Sequence, residues 1–350
     1  MQYKISVLGA GTWGIALARL LANNSHDVTV WSALPQEIEH LKSTYRHPNF
    51  PEVELPASLH FTTDLEEACK GKKIIVVAVP SIFVRSTIRN AKPWLGEGQI
   101  LVDVAKGIEA DSLLTMTQVI RDELGEGADN HVVAFSGPTH AEEVIRDVPT
   151  AIVSACVDLP TAQIVQDVFS NSCMRTYTNT DVLGVELSGA MKNIIALAAG
   201  VSDGLGFGDN TRAALITRGA AEITRLGVTM GCREQTFHGL AGVGDLIVTC
   251  TSQHSRNHKC GYLIGQGEEP AKAIKDVGMV VEGVNALPAA MQLKARYGVE
   301  MPIAEAMNMV VNEHADPKAA AWELMNRDKK SENDHGEATV RFEKDGMKEN

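Results

Sequence analysis

Residues 4–24 read KISVLGAGTWGIALARLLANN, and how this stretch folds decides the architecture. KISVL is a short run with β-branched apolar residues, the composition of a buried strand. Gly9, Gly11 and Gly14 follow at once as G-x-G-x-x-G, and an Ala/Leu-rich helical pattern starts inside them, with small Ala18 four residues beyond Gly14. Between a strand and a helix each glycine has a task. The first allows the tight turn, the second lets backbone approach a pyrophosphate, and the third lets helix pack on strand, while the helix N-terminus attracts the anion. Alone, the triplet could be an ordinary glycine turn; opening an α/β pattern, it reads as a dinucleotide site.

Downstream, KISVLG, DVTVW, KKIIVVAVP, QILVDVA, HVVAF, TAIVSA and MRTYT read as seven strands alternating with helical segments as far as about residue 180. That alternation predicts an α/β Rossmann-type N-terminal domain with a mostly parallel sheet. From Asp181 the strand signals stop, and Ala/Leu/Ile/Met-rich segments run to about Leu324. The expected division is a dinucleotide-binding domain over residues 1–180, an all-α C-terminal domain over 181–326, and a charged, mobile tail over 327–350. A crevice where the domains meet is a favoured ligand site.

The 350 residues carry a formal net charge of -12, which supplies no broad positive field and argues against nucleic acid or an anionic membrane surface as partner. The six cysteines form no C-x-x-C pair and the eleven histidines no H-E-x-x-H, so packed thiols and no metal centre are expected. There is no signal-peptide pattern, and no apolar run reads as long enough to insert in a membrane, so a cytoplasmic location is expected.

Within LSGAMKNIIALAAGVS, residues 187–202, Lys192 is the lone charge on a stretch without a polar face. Such a helix belongs inside a protein, where an ammonium needs an anionic neighbour or a ligand. The alternative is a helix edge from which the stem extends to water. Gly239-Leu240-Ala241-Gly242-Val243-Gly244-Asp245 brings one carboxylate into an apolar context, so Asp245 is a candidate partner for Lys192, or else a helix cap. Lys106 follows the strand QILVDVA and Gly137 and Thr139 follow HVVAF, both at strand carboxyl ends where such sheets bind ligands. Thr139-His140-Ala141-Glu142 also fits a capping box, and Lys106 could be an exposed surface lysine. Thr249–Asn257, TCTSQHSRN, gathers hydroxyls, an amide and a guanidinium, and Ser255, Arg256 and Asn257 there outline an anion site. At the end of the second strand, Trp31-Ser32-Ala33 lacks the acidic residue that binds the adenosine ribose of NAD and the arginine that clamps a 2'-phosphate, so NAD(H) and NADP(H) both stay open.

Together GAGTWGIALA, VAVPS, AKGIE, SGPTHAEEV, GVELSGAMKNIIALAAGVSDGLGFGDNTRAALITRG, TFHGLAGVGDLIVTCTSQHSRN and VVEG resemble the bacterial-type NAD(P)-dependent glycerol-3-phosphate dehydrogenase family, over residues 5 to about 310. The resemblance implies reversible reduction of dihydroxyacetone phosphate to sn-glycerol 3-phosphate by NAD(P)H, supplying the phospholipid glycerol backbone, and it implies a homodimer. It implies Lys192 as general acid/base, with Lys106, Gly137, Thr139, Asp245, Ser255, Arg256 and Asn257 around the substrate. It places Gly9, Gly11, Thr12, Trp13, Gly14, Ala33, Lys106, Ala141, Arg256, Val280 and Glu282 around the cofactor. Two rival readings are a dehydrogenase of another hydroxy acid, which the Ser255-Arg256-Asn257 loop disfavours, and a dinucleotide-binding redox sensor, which would have no use for a buried proton donor.

Overall fold

The computed structural model describes residues 1–126, 131–329 and 331–332. Its sheet has eight strands: β1 (Lys4–Leu8), β2 (Asp27–Trp31), β3 (His60–Thr62), β4 (Ile74–Val77), β5 (Ile100–Asp103), β6 (His131–Ser136), β7 (Thr150–Ala155) and β8 (Met174–Asn179). Their spatial order is β3-β2-β1-β4-β5-β6-β7-β8. Strands β1 to β6 are mutually parallel, in the doubly wound order of dinucleotide-binding folds. Covered on both faces by helices, strands such as β4 are buried at every position, hence their unbroken apolar runs.

Two details differ from the sequence reading. The eighth strand, β3, has three residues, too few to show alternation, and is held by register with Thr29–Trp31 of β2. β7 runs antiparallel to β6 and parallel to β8. Between β6 and β7 the only helix is the single turn Ala141–Val144, too little to carry the chain back across the sheet, so it reverses instead.

β8 ends at Asn179, and the helix Val182–Gly204 begins after the Asp181 cap, whose carboxylate accepts from Gly184 N. From there the described chain is helical. By length and composition this helix could cross a bilayer, contrary to the expectation that no such run exists. Every residue in it except Leu183 and Asp203 is buried by neighbouring protein, which makes it the centre of the second core. Helices Asp209–Thr229, Asp245–Thr251, Arg256–Gly265 and Glu282–Tyr297 pack around it. Five cysteines are buried thiols and Cys173 is half-buried. The mobile-tail expectation falls mostly on residues 333–350, which lie outside the described residues.

Two polar ties fix the helices against the sheet. Buried Glu186 accepts hydrogen bonds from Thr117 N (2.7 Å), Thr117 Oγ1 (2.6 Å) and Thr115 Oγ1 (2.8 Å). It thereby caps the helix Met116–Leu124, while burial pushes its carboxyl pKa up and these bonds pull it back. Glu282 accepts from Ser81 N (3.1 Å) and Ser81 Oγ (2.6 Å), just beyond β4. Glu186→Ala strands three donors in a dry interior, and we expect a loss of about 3 kcal/mol in urea unfolding, with Glu186→Gln losing less. An unchanged midpoint for the alanine variant would show that this tie carries no stability.

Candidate active site

Lys192 is buried, 5% exposed, so the helix-edge alternative does not apply. Its Nζ donates to Asp245 Oδ1 at 2.6 Å and to Thr249 Oγ1. The Thr249 hydroxyl spends its own hydrogen on the Asp245 carbonyl oxygen at 2.6 Å, which turns a lone pair toward the ammonium. Asp245 does not cap a helix. It is the first residue of Asp245–Thr251, at 1% exposure, and its second oxygen accepts from Lys106 Nζ at 2.7 Å. Lys106 arrives from the loop after β5 and also donates to the Gly137 carbonyl at 2.9 Å. One carboxylate therefore joins two ammonium groups from the two halves of the chain. Burial lowers the Lys192 pKa to about 8, partly offset by Asp245, and the charge of Lys106 lowers it further. With both lysines protonated the cluster carries one excess positive charge, and it favours an anion or a developing oxyanion beside it.

The loop after β6 forms one wall. Thr139 does not make the capping box; the helix cap is His140, and the Thr139 hydroxyl donates to the Gly137 carbonyl at 3.2 Å. Ser136 Oγ and His140 Nε2 are buried without a hydrogen-bond partner among the described residues. The His140 ring meets that of His254 at 5.9 Å, which sets the 249–257 loop against this wall. Burial, and then the Lys192 charge, pulls the His140 pKa down, so it stays neutral at pH 7. In the loop, Ser255 is buried as the N-cap of Arg256–Gly265, and its Oγ accepts from His258 N at 3.2 Å. Asn257 donates to Asn193 Oδ1 at 2.9 Å and accepts from Gly283 N at 2.8 Å. It thus pins the loop to the residue beside Lys192. Arg256 is exposed, the one member of this trio with no side-chain hydrogen bond or ion pair among the described residues.

The dinucleotide end fits its expected occupant. Gly9 takes φ +125°, and a Cβ on Gly14 would overlap the Gly9 carbonyl, whereas a Cβ on Gly11 would meet nothing within 4 Å. That leaves a clear approach to the helix Thr12–Asn23, whose N-cap Gly11 supplies no side chain, so its first N–H groups are free for phosphate oxygens. Thr12 and Trp13 are half-buried in its first turn, and Ala33 is exposed just past β2. Ala141 is buried at the start of its short helix. Val280 and Glu282 lie at the N-terminus of Glu282–Tyr297, which Ser81 draws to the end of β4. The carboxyl ends of β1, β2, β4, β5 and β6 thus hold every residue singled out in the N-terminal half.

Sequence reasoning placed Ser136 and Thr249 in ligand-binding segments without giving either a role of its own, had His140 only inside a capping-box pattern, and missed Asn193. Thr249 had a signal, since it stands one helical turn after Asp245 and so shares its face. Asn193 had none, because its role depends on where Asn257 lands.

A glycine-loop dinucleotide fold that meets a buried lysine–aspartate pair from a helical half defines an NAD(P)-dependent oxidoreductase. The model described as NAD-dependent glycerol-3-phosphate dehydrogenase N-terminus matches residues 4–162, and the C-terminus model of the same enzyme matches 181–321. The chain is 60% identical over 332 residues to a protein of Lactobacillus delbrueckii subsp. bulgaricus named glycerol-3-phosphate dehydrogenase [NAD(P)+] 2, covering 94% of this chain and 98% of that one. It is 52% identical over 330 residues to one of Agathobacter rectalis named glycerol-3-phosphate dehydrogenase [NAD(P)+], covering 94% and 97%. A crystal structure of glycerol-3-phosphate dehydrogenase from Coxiella burnetii superposes with a TM-score of 0.89 at 34% identity, covering 93% of this chain and 99% of that one. The chain belongs to the NAD-dependent glycerol-3-phosphate dehydrogenase family.

The cluster generates a paired expectation for stability. Lys192→Met removes a desolvated charge while Asp245 keeps Lys106, so its unfolding midpoint should stay at or above that of the wild type. Asp245→Leu leaves two ammonium groups facing each other, and should cost about 3–5 kcal/mol. Equal destabilisation by both, measured by denaturant titration, would contradict this charge balance.

Proposed function

We propose that the chain catalyses the reversible reduction of dihydroxyacetone phosphate to sn-glycerol 3-phosphate with NAD(P)H, and that Lys192 is its proton donor. The observation that supports this most is the net positive Lys192–Asp245–Lys106 cluster, with Arg256 exposed on the loop that Asn257 ties to Asn193. A phosphorylated ketone matches both parts, one anion for the guanidinium and one oxygen that becomes negative during reduction.

When bound, NAD(P)H supplies the hydride. Gly9, Gly11, Thr12, Trp13, Gly14, Ala33, Lys106, Ala141, Arg256, Val280 and Glu282 would hold it. Lys192 has three N–H donors, of which Asp245 and Thr249 take two, so the third is free to point at the carbonyl oxygen. As that oxygen gains charge, the ammonium stabilises it and then transfers the proton. A pKa of about 8 keeps the donor charged at neutral pH yet makes it a far better acid than an exposed lysine. Asp245 holds both lysines in place through its two carboxylate oxygens. Arg256, the free hydroxyl hydrogen of Ser255 and the second amide N–H of Asn257 offer donors to the phosphate, while Gly137 and Thr139 line the opposite wall. Phosphate binding of this kind spends remote binding energy on orienting the carbonyl.

We assign residues 1–180 to cofactor binding and 181–326 to substrate and proton transfer. The same proposal includes a homodimer working in the cytoplasm and supplying the glycerol backbone of phospholipids, as the family resemblance implies.

The test compares steady-state oxidation of NADH and NADPH with dihydroxyacetone phosphate and with unphosphorylated dihydroxyacetone. Because Arg256 is also placed at the cofactor, the variant is assayed at saturating NADH, where Arg256→Ala should cut kcat/KM for the phosphorylated ketone by roughly 10- to 100-fold, the scale of a lost charge-assisted hydrogen bond, and leave the weak unphosphorylated reaction nearly unchanged. Equal losses on both substrates would remove the phosphate role, and no oxidation by the wild type would refute the assignment.

A further inference from the structure

We propose that Glu37 takes the place of the missing acidic residue at the end of β2, binds the adenosine ribose, and makes the chain selective for NAD(H) over NADP(H). This rests on the NAD(P) reading above.

Gly9 N donates to the Trp31 carbonyl at 2.8 Å, so the residues that follow β2 stand directly beside the glycine loop. In this fold that position faces the adenosine ribose, and a carboxylate there binds its 2'-hydroxyl. Ser32 occupies it, buried, and has no charge to offer. Its hydroxyl instead donates to Glu37 Oε2 at 2.6 Å and accepts from Leu34 N at 3.1 Å. Glu37 belongs to the first turn of the helix Pro35–Thr44, and it is half-buried. Ser32 therefore draws a carboxylate back from the helix to the strand end. Among the described residues only Oε2 accepts a hydrogen bond, which leaves Oε1 as an acceptor on a carboxylate tied to the end of β2.

Ala33, Arg46 and His47 offer no uncommitted cation to a 2'-phosphate. Ala33 is exposed and carries no donor. His47 lies against the Ala10 carbonyl, and its Nδ1 accepts from Asn49 N at 3.1 Å. Burial pulls its pKa below the usual imidazole value, so it is neutral at pH 7. Arg46, next to it in sequence, is committed to Glu54 (2.9 Å) and the Pro51 carbonyl (2.9 Å). A doubly charged phosphate set here would face the Glu37 carboxylate with no compensating guanidinium. The first-turn position of Glu37 would also suit a purely helix-stabilising acid, so the test must separate ligand discrimination from stability.

Equilibrium binding of NADH and of NADPH, followed by nicotinamide fluorescence, makes that separation without turnover. The wild type should bind NADH about tenfold or more tightly than NADPH, the scale of a like-charge contact at a partly exposed site. Glu37→Gln keeps the side-chain shape and the bond to Ser32, and should narrow the ratio severalfold by strengthening NADPH. Ser32→Ala, which releases the carboxylate, should narrow it by weakening NADH. Equal affinity of the wild type for both dinucleotides, or a ratio unmoved in Glu37→Gln while its melting temperature changes, would overturn the proposal. Failure of either dinucleotide to bind at all would overturn the cofactor reading on which it rests, a result distinct from loss of selectivity.

Discussion

One buried carboxylate between two ammonium groups is the constraint on which the rest depends. Asp245 offsets part of the desolvation that Lys192 suffers inside the second core, and the two lysines occupy both oxygens of a carboxylate that is 1% exposed. Because there are two cations for one anion, the interior is left short of negative charge. That shortage is a binding specification, and a ketone whose oxygen turns into an alkoxide satisfies it only as reaction proceeds.

The fold exists to hold that cluster together across two cores. Lys106 is fixed by β5 and by the Gly137 carbonyl after β6, while Lys192 and Asp245 come from helices that share a core of their own. Keeping these parts within hydrogen-bond distance requires ties that do not slide. Glu186 capping Met116–Leu124 and Glu282 gripping Ser81 supply them, each a carboxylate whose bonds are directional. The glycine loop is held within the sheet domain, by the Gly9 N–H on the Trp31 carbonyl of β2 and by close packing of Gly9 on Ala78 after β4.

That difference explains what could be read from the chain. G-x-G-x-x-G, the apolar strands and the all-apolar helix around Lys192 are local patterns, and each announced its element. β3 did not, because three residues carry no period, and neither did the reversal at β7, which follows from how little helix lies before it. Asp245 was readable as a candidate partner for Lys192 because its glycine-rich segment brings one carboxylate into an apolar context. That Lys106 shares the same carboxylate was not, since 139 residues separate the two and nothing local links them. Thr139 shows the opposite failure, as a motif that fitted a capping box lost to the cap at His140. Glu37 shows a third kind, where the expected acid is absent from its position and arrives from five residues downstream through a serine hydroxyl.

The central claim is that Lys192 is a charged, desolvated ammonium held by Asp245, and its titration tests this most directly. In protein labelled with 13C at lysine Cε, the resonance lost in Lys192→Arg identifies the residue, and its shift against pH gives the pKa. The wild-type value should lie near 8, and that of Asp245→Asn lower, since desolvation and Lys106 then act without the opposing carboxylate. A wild-type value near the ordinary lysine figure of about 10.4, unmoved by that substitution, would contradict it.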